Sequence, residues 1–405
     1  MSVLVINAGS SSVKYALVEP GEGDGPAAVL ARGLVERVGS TAATLRHSRP
    51  GAEPHEGPVQ AVDHTEALAA VVTAFGTHGP DVTDGLRAVG HRVVHGGETF
   101  TGPVVVDEQV LAEIDRLSVL APLHNPVNAA GVRAARQRFG DVPHVAVFDT
   151  AFHTDLPVVA RTYAVPREWR TEHGVRRYGF HGTSHAYVSR TAAAWLQRER
   201  GVDPTASRVV VLHLGNGASA CAVLGGRSID TSMGLTPLAG LVMGTRSGDV
   251  DPALAGHLER VAGLDGAHVE EQLNRSSGLL GLSGESDLRD VRRLAEAGDA
   301  DAATALEIYA YRVRSFVGAY AVALGGLDAL VFTAGVGEHD GAMRRDVVAG
   351  LGCLGMELDA DRDAAVTPGP TSSLVSTDTS GVAVLVVPTD EEGEIARQAV
   401  GLIDR

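Results

Sequence analysis

Two stretches of this chain, about half its length apart, repeat one pattern: a strand, a turn of small residues, and a returning strand. The first runs Val3-Leu4-Val5-Ile6, turns through Asn7-Ala8-Gly9-Ser10-Ser11-Ser12, and returns through Val13 to Val18. The second runs Val209 to Leu214, turns through Gly215-Asn216-Gly217-Ala218-Ser219, and returns through Ala220 to Leu224. Repetition on this scale implies a duplicated supersecondary unit, and so two related α/β domains. A turn of small residues lets backbone N–H groups approach an anion closely. Ser10, Ser12 and Lys14 add donors there, and strand alternation puts Ser12 and Lys14 on one face. The order of residues excludes a P-loop, since a strand rather than a helix follows the turn. A third strand, Ala329 to Thr333, leads into Ala334-Gly335-Val336-Gly337-Glu338, which reads as another glycine turn.

At 405 residues the chain has room for two or three domains. Its net charge of −16 opposes any general affinity for nucleic acid or an anionic membrane, so an anionic ligand must be held by a few placed groups. Two cysteines, Cys221 and Cys353, make no disulfide framework, which points to a reducing, cytoplasmic setting. The N-terminus has no basic n-region and no long apolar h-region, so no secretory signal is expected, and no apolar run is long enough to cross a membrane. Lys14 is the sole lysine beside 33 arginines, and asparagine occurs only at 7, 125, 128, 216 and 274. Such scarcity looks like nucleotide-composition bias. A lysine that survives it suggests a place needing a compact ammonium rather than a planar fork.

Periodicity predicts helices over Glu66–Phe75, Ala186–Leu196 and Ala302–Leu324. Near the C-terminus, Pro388-Thr389-Asp390-Glu391-Glu392 fits a capping box, with Thr389 as N-cap and Glu392 reaching back, which leaves Glu391 free. Residues 19–27, 48–57 and 368–380 read as loops. Several segments could carry chemistry. In His91-Arg92-Val93-Val94-His95, alternation puts Arg92 and Val94 on one face, a guanidinium beside a small apolar wall. Leu120-Ala121-Pro122-Leu123-His124-Asn125-Pro126 reads as a rigid loop. Asp149 ends an apolar strand, a common place for metal or base chemistry. His181 and His185 have the spacing of a helical zinc pair, but Gly182 argues against a continuous helix there. A glycine-rich loop, Met243 to Asp249, is expected to present Arg246.

The motifs INAGSSSVKY, HRVVHGGE, LAPLHNP, VFDTAFH, YGFHGTSH, HLGNGAS, DTSMGLTPLAGLVMGTRSGDVDP, AGVGE and VPTDEE stand in the order seen in acetate kinases. The chain closely resembles that family from first strand to last helix. One departure is His339-Asp340 where the family usually has Asn-Ser; another is Thr154 to Pro157 after AFH. The resemblance implies an α/β protein of duplicated ribonuclease-H-like domains, in the sugar-kinase, heat-shock-protein and actin superfamily, with an interdomain cleft. The expected domains are residues 1–150, completed by helix 388–405, and residues 151–387. The implied activity is reversible transfer of the ATP γ-phosphoryl to acetate, giving acetyl phosphate and ADP, with Mg²⁺ or Mn²⁺, in a cytoplasmic homodimer.

By the same resemblance Arg92, Asp149, His181 and Arg246 serve catalysis, while Val94, Leu123 and Pro237 with Arg92 line the acetate pocket. Ser10, Ser12 and Lys14 face phosphate. The nucleotide takes His213, Leu214, Gly215, Asn216 and Gly217, then Asp287, Leu288 and Arg289, then Gly335, Val336, Gly337, Glu338 and His339. Asn7 and Glu391 are the metal ligands. Two other readings stay open: a kinase for propionate or butyrate, decided by the pocket lining, and a non-catalytic ATP-dependent switch on the same fold. The switch would have no need of two arginines and a histidine set against Asp149.

Overall fold

The computed structural model describes residues 1–21, 25, 27–367, 369 and 371–405. Parts of the expected loops 19–27 and 368–380 therefore lie outside the described residues. The chain divides into two compact units. The first holds Met1–Thr154, Gly182–Ser184 and Asp390–Arg405; the second holds Asp155–His181 and His185–Thr389.

The first unit is built on eight strands: β1 Ser2–Gly9, β2 Ser12–Glu19, β3 Ala28–Glu36, β4 Thr44–Ser48, β5 His55–Pro58, β6 Leu86–Val93, β7 Val104–Val105 and β8 His144–Phe148. They lie in the order β5-β4-β3-β2-β1-β6-β8-β7. The second unit has six: β9 Arg208–Leu214, β10 Ala218–Leu224, β11 Arg227–Thr231, β12 Ala329–Thr333, β13 Ser373–Leu374 and β14 Ala383–Val386, in the order β11-β10-β9-β12-β14-β13. The duplication is visible in these orders. Each sheet has three antiparallel strands, β3-β2-β1 or β11-β10-β9, continued by two parallel ones, β6-β8 or β12-β14.

Helices cover both faces of the first sheet. Leu4, Ile6, Tyr15 and Leu17 pack on one side with Leu68, Val71 and Phe75 of α1 (His64–His78) and Ala134 and Ala135 of α2 (Asn125–Arg138). Val3, Val5, Ala16 and Val18 pack on the other with residues of the C-terminal helix Glu391–Ile403. This two-sided cover ends the alternation expected along β2: from Tyr15 to Val18 every side chain is buried. The first turn is also tighter than expected. Asn7 pairs with Lys14 inside the ladder and Gly9 with Ser12, so only Ser10 and Ser11 turn the chain. The predicted helices are present and longer: α1, α3 (Gly182–Arg200) and, later in the chain, Ala300–Ala323. The expected 48–57 loop contains the start of β5, and the expected 368–380 loop contains β13.

Candidate active site

In the first unit the ends of β1, β6 and β8 bring the chemistry together. Asp149 follows directly on β8 and is buried, as its apolar strand predicts. Arg92, near the end of β6, grips it with two groups: Nε lies 3.0 Å from Oδ1 and Nη2 lies 2.7 Å from Oδ2. Burial pushes the Asp149 carboxyl up, against the pull of Arg92, and the nearby Glu391 adds to the upward shift. Burial likewise opposes charge on Arg92, but Asp149 and Glu391 outweigh it and hold the guanidinium charged. The expected face shared by Arg92 and Val94 does not survive, because β6 ends at Val93 and alternation stops with it. Val94 is buried all the same, and its N–H donates to Asn128 Oδ1.

Only the last two residues of the expected loop around Leu123, Asn125 and Pro126, belong to a helix. His124 precedes α2, and Pro126 sits in its first turn, where a missing N–H costs nothing. Leu123 stays half-exposed. Two asparagines of α2 were not singled out as site residues, although their scarcity was a signal. Asn125 accepts from the His95 N–H at 3.1 Å and donates to the His95 carbonyl at 3.0 Å. Asn128 accepts from Val94 and donates to the Ala8 carbonyl at 2.8 Å. Gly131 lets α2 sit this close, since a Cβ there would lie 2.5 Å from that of Ala8. Asn128 thereby ties the hairpin of Asn7 to the strand end of Arg92.

The C-terminal cap is corrected. Asp390, not Thr389, caps the last helix by accepting from the Gly393 N–H, while the Thr389 N–H donates to Glu338. Glu392 does not reach back to the cap but pairs with Lys14 at 2.7 Å, and Lys14 pulls its carboxyl down against the effect of burial. The lone lysine thus stands half-exposed on a carboxylate. Glu391 has no capping duty, as expected, and makes no hydrogen bond or ion pair among the described residues. The Asn7, Ser10 and Ser12 side chains are likewise without protein partners. No group of three His, Cys, Asp or Glu side chains is placed to cage a metal among the described residues. One amide oxygen and one uncommitted carboxylate fit a hard divalent cation that keeps most of its shell for water and phosphate.

In the second unit, β9 and β10 turn through Gly215–Gly217. His181, with φ 57°, stands just before α3. Its Nδ1 and the Nε2 of His185 both meet Ser219 Oγ, at 2.9 and 2.8 Å. Both rings are thus turned onto one hydroxyl, and α3 starts at Gly182 rather than being excluded by it. The His181 ring stacks on that of His213 at 4.2 Å. A Cβ on Gly217 would lie 3.7 Å from both His181 Nε2 and Arg246 Nη2, so these two side chains close on the same turn. The 243–249 loop is packed rather than mobile: Leu241 to Gly244 are buried and Arg246 is half-buried. Arg246 donates to the Pro237 carbonyl at 2.9 Å, and no carboxylate pairs with it among the described residues. Burial pulls its pKa down.

The three segments expected around a nucleotide do share one cavity of about 840 Å³. Gly215 and Asn216 reach it from the β9–β10 turn. Asp287, Leu288 and Arg289 reach it from α4 (Leu288–Glu296), which Asp287 caps, and Gly335, Val336 and His339 from α5 (Ala334–His339). AGVGE is therefore a short helix and not a turn, with Glu338 Oε1 accepting the Ala334 N–H. His213, Leu214, Gly217, Gly337 and Glu338 lie outside the cavity lining. Gly244 does line it, and is required: a Cβ there would run into the Asn216 carboxamide. Arg289 folds back on Asp287, whose carboxyl it holds down at about 2. Helix packing rather than any motif brings Arg292 and Tyr309 to this cavity, whereas Gly244 comes from the 243–249 loop and Asp340 directly follows α5.

The repeated strand order and the glycine-lined cavity make this an α/β protein of two related units, the second with a ligand-sized cavity. Within that class the chain belongs to the acetokinase family, whose model matches residues 2–397. It is 57% identical over 400 residues to an acetate kinase of Leifsonia xyli subsp. xyli, covering 98% of each chain. It is 50% identical to that of Streptomyces coelicolor, covering 99% of this chain and 97% of the other. Among solved structures, Porphyromonas gingivalis acetate kinase superimposes with a TM-score of 0.90 at 40% identity, covering 99% of both chains. A propionate kinase from Francisella tularensis subsp. tularensis gives 0.89 at 38% identity, covering 98% of both.

Proposed function

We propose that this chain transfers the γ-phosphoryl group of ATP to acetate, reversibly, forming acetyl phosphate and ADP. Membership of the acetokinase family over residues 2–397 carries this assignment. Acetate is already ionised at neutral pH, so no strong base is needed. The difficulty is electrostatic: a carboxylate must approach a polyphosphate, and charge on the transferring group must be stabilised. Arg246 suits this work, as a half-buried guanidinium with no carboxylate among the described residues to neutralise it. His181 faces the same turn, held by Ser219. Arg92 orients the acetate carboxylate, and Asp149 fixes its fork in place rather than taking a proton. Val94, Leu123 and Pro237 face the methyl group. Ser10, Ser12 and the small turn offer donors to phosphate oxygens.

A divalent cation, Mg²⁺ or Mn²⁺, would be held by Asn7 and Glu391, and when bound it neutralises phosphate charge. The nucleotide occupies the cavity of the second unit. No helix among the described residues is long and apolar enough to cross a membrane. A cytoplasmic homodimer completes this assignment.

A coupled phosphoryl-transfer assay on acetate, propionate and butyrate tests it. One methylene is worth only ~1–3 kcal/mol in an apolar pocket, so acetate should lead and propionate follow. Val94→Ala should favour propionate relative to acetate. Equal rates with butyrate would remove the small-pocket assignment, and no transfer to any acid would leave the nucleotide-switch reading.

A further inference from the structure

The carbonyl that holds Arg246 belongs to Pro237, and Pro237 ends a segment that is held in an unusual way. Beyond β11 the chain runs from Thr231 to Pro237, with Thr231, Ser232 and Met233 buried. Three successive carbonyls converge there on one nitrogen. Arg177 Nη1 lies 2.5 Å from the Thr231 oxygen, 3.1 Å from that of Ser232 and 3.3 Å from that of Met233. Buried carbonyls need donors, and a cationic donor also offsets the repulsion of dipoles that point together. The Gly234 carbonyl accepts the Tyr178 N–H at 3.0 Å, and the Leu235 N–H donates to the Tyr163 hydroxyl at 3.0 Å. Gly234 makes room for that hydroxyl, since a Cβ there would lie 2.4 Å from it. The brace is itself tied together: the Arg177 N–H donates to the Arg161 carbonyl at 2.9 Å, and the Arg177 guanidinium lies 5.8 Å from the centre of the Tyr163 ring.

Five consecutive residues, Thr231 to Leu235, thus each give one backbone group to Arg177, Tyr178 or Tyr163. The residues that follow, Leu235 to Ala239, are only half-buried, so burial alone does not fix Pro237; the bonds just before it do. Arg177 is spent on these carbonyls rather than on an acid, since Asp230 Oδ1 stands 3.9 Å from its Nε, beyond hydrogen-bond reach. Resting on the role of Arg246 in the proposed phosphoryl transfer, we propose that Arg177 and Tyr163 are positioning residues. They fix the 231–237 segment so that the Pro237 carbonyl aims the Arg246 guanidinium. Arg246 needs this more than Arg92 does. Arg92 is gripped through two nitrogens by a carboxylate, whereas Arg246 meets one carbonyl and the Met243 sulfur. A small shift of that carbonyl therefore turns the charge away from the reacting groups, and a misplacement of about 1 Å can cost on the order of 10²-fold in rate.

Tyr163→Phe tests this by removing one hydroxyl. The full-length parent and variants are assayed with acetate and ATP, at a temperature where thermal unfolding shows each of them folded. In Tyr163→Phe, kcat should fall about 3- to 10-fold with KM for ATP unchanged. The same replacement is then made in Arg246→Ala. With no guanidinium left to aim, it should cost less than about twofold more. A merely structural role would cost the same factor in both backgrounds, and that result would overturn the proposal, as would parental kcat in Tyr163→Phe. Arg177→Met should lose roughly tenfold, and Arg177→Lys should keep more activity, because an ammonium still brings three donors to three carbonyls. Equal activity in these two variants would remove Arg177 from the proposal, and if Arg177→Met does not fold, the Tyr163 cycle decides alone. If the parent transfers phosphoryl to no acid, the proposed function itself falls; if the parent transfers and the Tyr163 loss is the same with and without Arg246, only the positioning falls.

Discussion

The two units share a strand order but treat their site arginines, Arg92 and Arg246, in opposite ways. In the first, cations near the sheet end are matched: Arg92 grips Asp149 and Lys14 holds Glu392. In the second, Arg246 is half-buried with only carbonyl and sulfur contacts, although Arg344 elsewhere in that unit is paired with the buried Asp363. One fold can therefore serve as a braced clamp or as a receptive surface, depending on whether each charge is given an internal partner. A paired charge costs stability when its partner is removed. An unpaired buried charge costs stability by being there, and is retained for what it binds.

The largest expected effects break this contrast directly. Arg246→Ala should lower turnover by on the order of 10²-fold or more while leaving thermal stability unchanged or raised. Arg92→Ala should lower turnover similarly, but also destabilise by about 3–5 kcal/mol, because Asp149 is left as an uncompensated buried acid. Steady-state kinetics beside chemical denaturation check both, and equal stability costs in the two variants would contradict the contrast. Arg→Lys should rescue neither fully, since the planar fork is lost.

Next is Asn128→Asp, which keeps an acceptor for the Val94 N–H but loses the donor to the Ala8 carbonyl. It should lower kcat roughly tenfold, in line with a small misplacement of the reacting groups, with KM for ATP unchanged. A rise in KM for ATP at constant kcat would show that Asn128 does not act through the hairpin.

Smaller still is a pH effect confined to the first unit. Burial holds His91 well below its ordinary 6.5, and also lowers His144 and His47. Below about pH 6.5 the unfolded chain takes up protons at these rings while the folded chain does not, so stability falls as pH drops. Asp149, shifted upward, runs the other way: its folded form holds a proton more readily above pH 3.8, which offsets part of the acid loss. His91→Gln should flatten the dependence of the unfolding midpoint on pH between 7 and 5. An unchanged slope would mean that His91 is not held neutral.

The smallest effect is expected for Lys14→Arg. An arginine can still meet Glu392, and Lys14 is mostly exposed, so stability should be unaffected. Turnover should still drop a few-fold if a compact ammonium is needed beside Ser12. Parental activity would reduce the lone lysine to an accident of composition.

Much was legible in the sequence because it depends on local order. Strand–turn–strand repetition gave the duplication, since alternating apolar residues and small turns specify a hairpin without outside help. Asp149 could be placed at a strand end from Val145, Val147 and Phe148 alone. Family motifs pointed to Arg92, His181 and Arg246 as candidates, and local order alone could not say what each side chain would meet. Tertiary structure decided partners and limits. It ended β6 at Val93, moved the last cap to Asp390, and folded AGVGE into a helix. It gave Lys14 to Glu392, and put Tyr309, Arg292 and Asp340 on one cavity wall although no short motif contains them. The physical reason is range: propensity and periodicity act over a few residues, whereas ion pairing, burial and cavity shape depend on groups that only packing brings within a few ångströms.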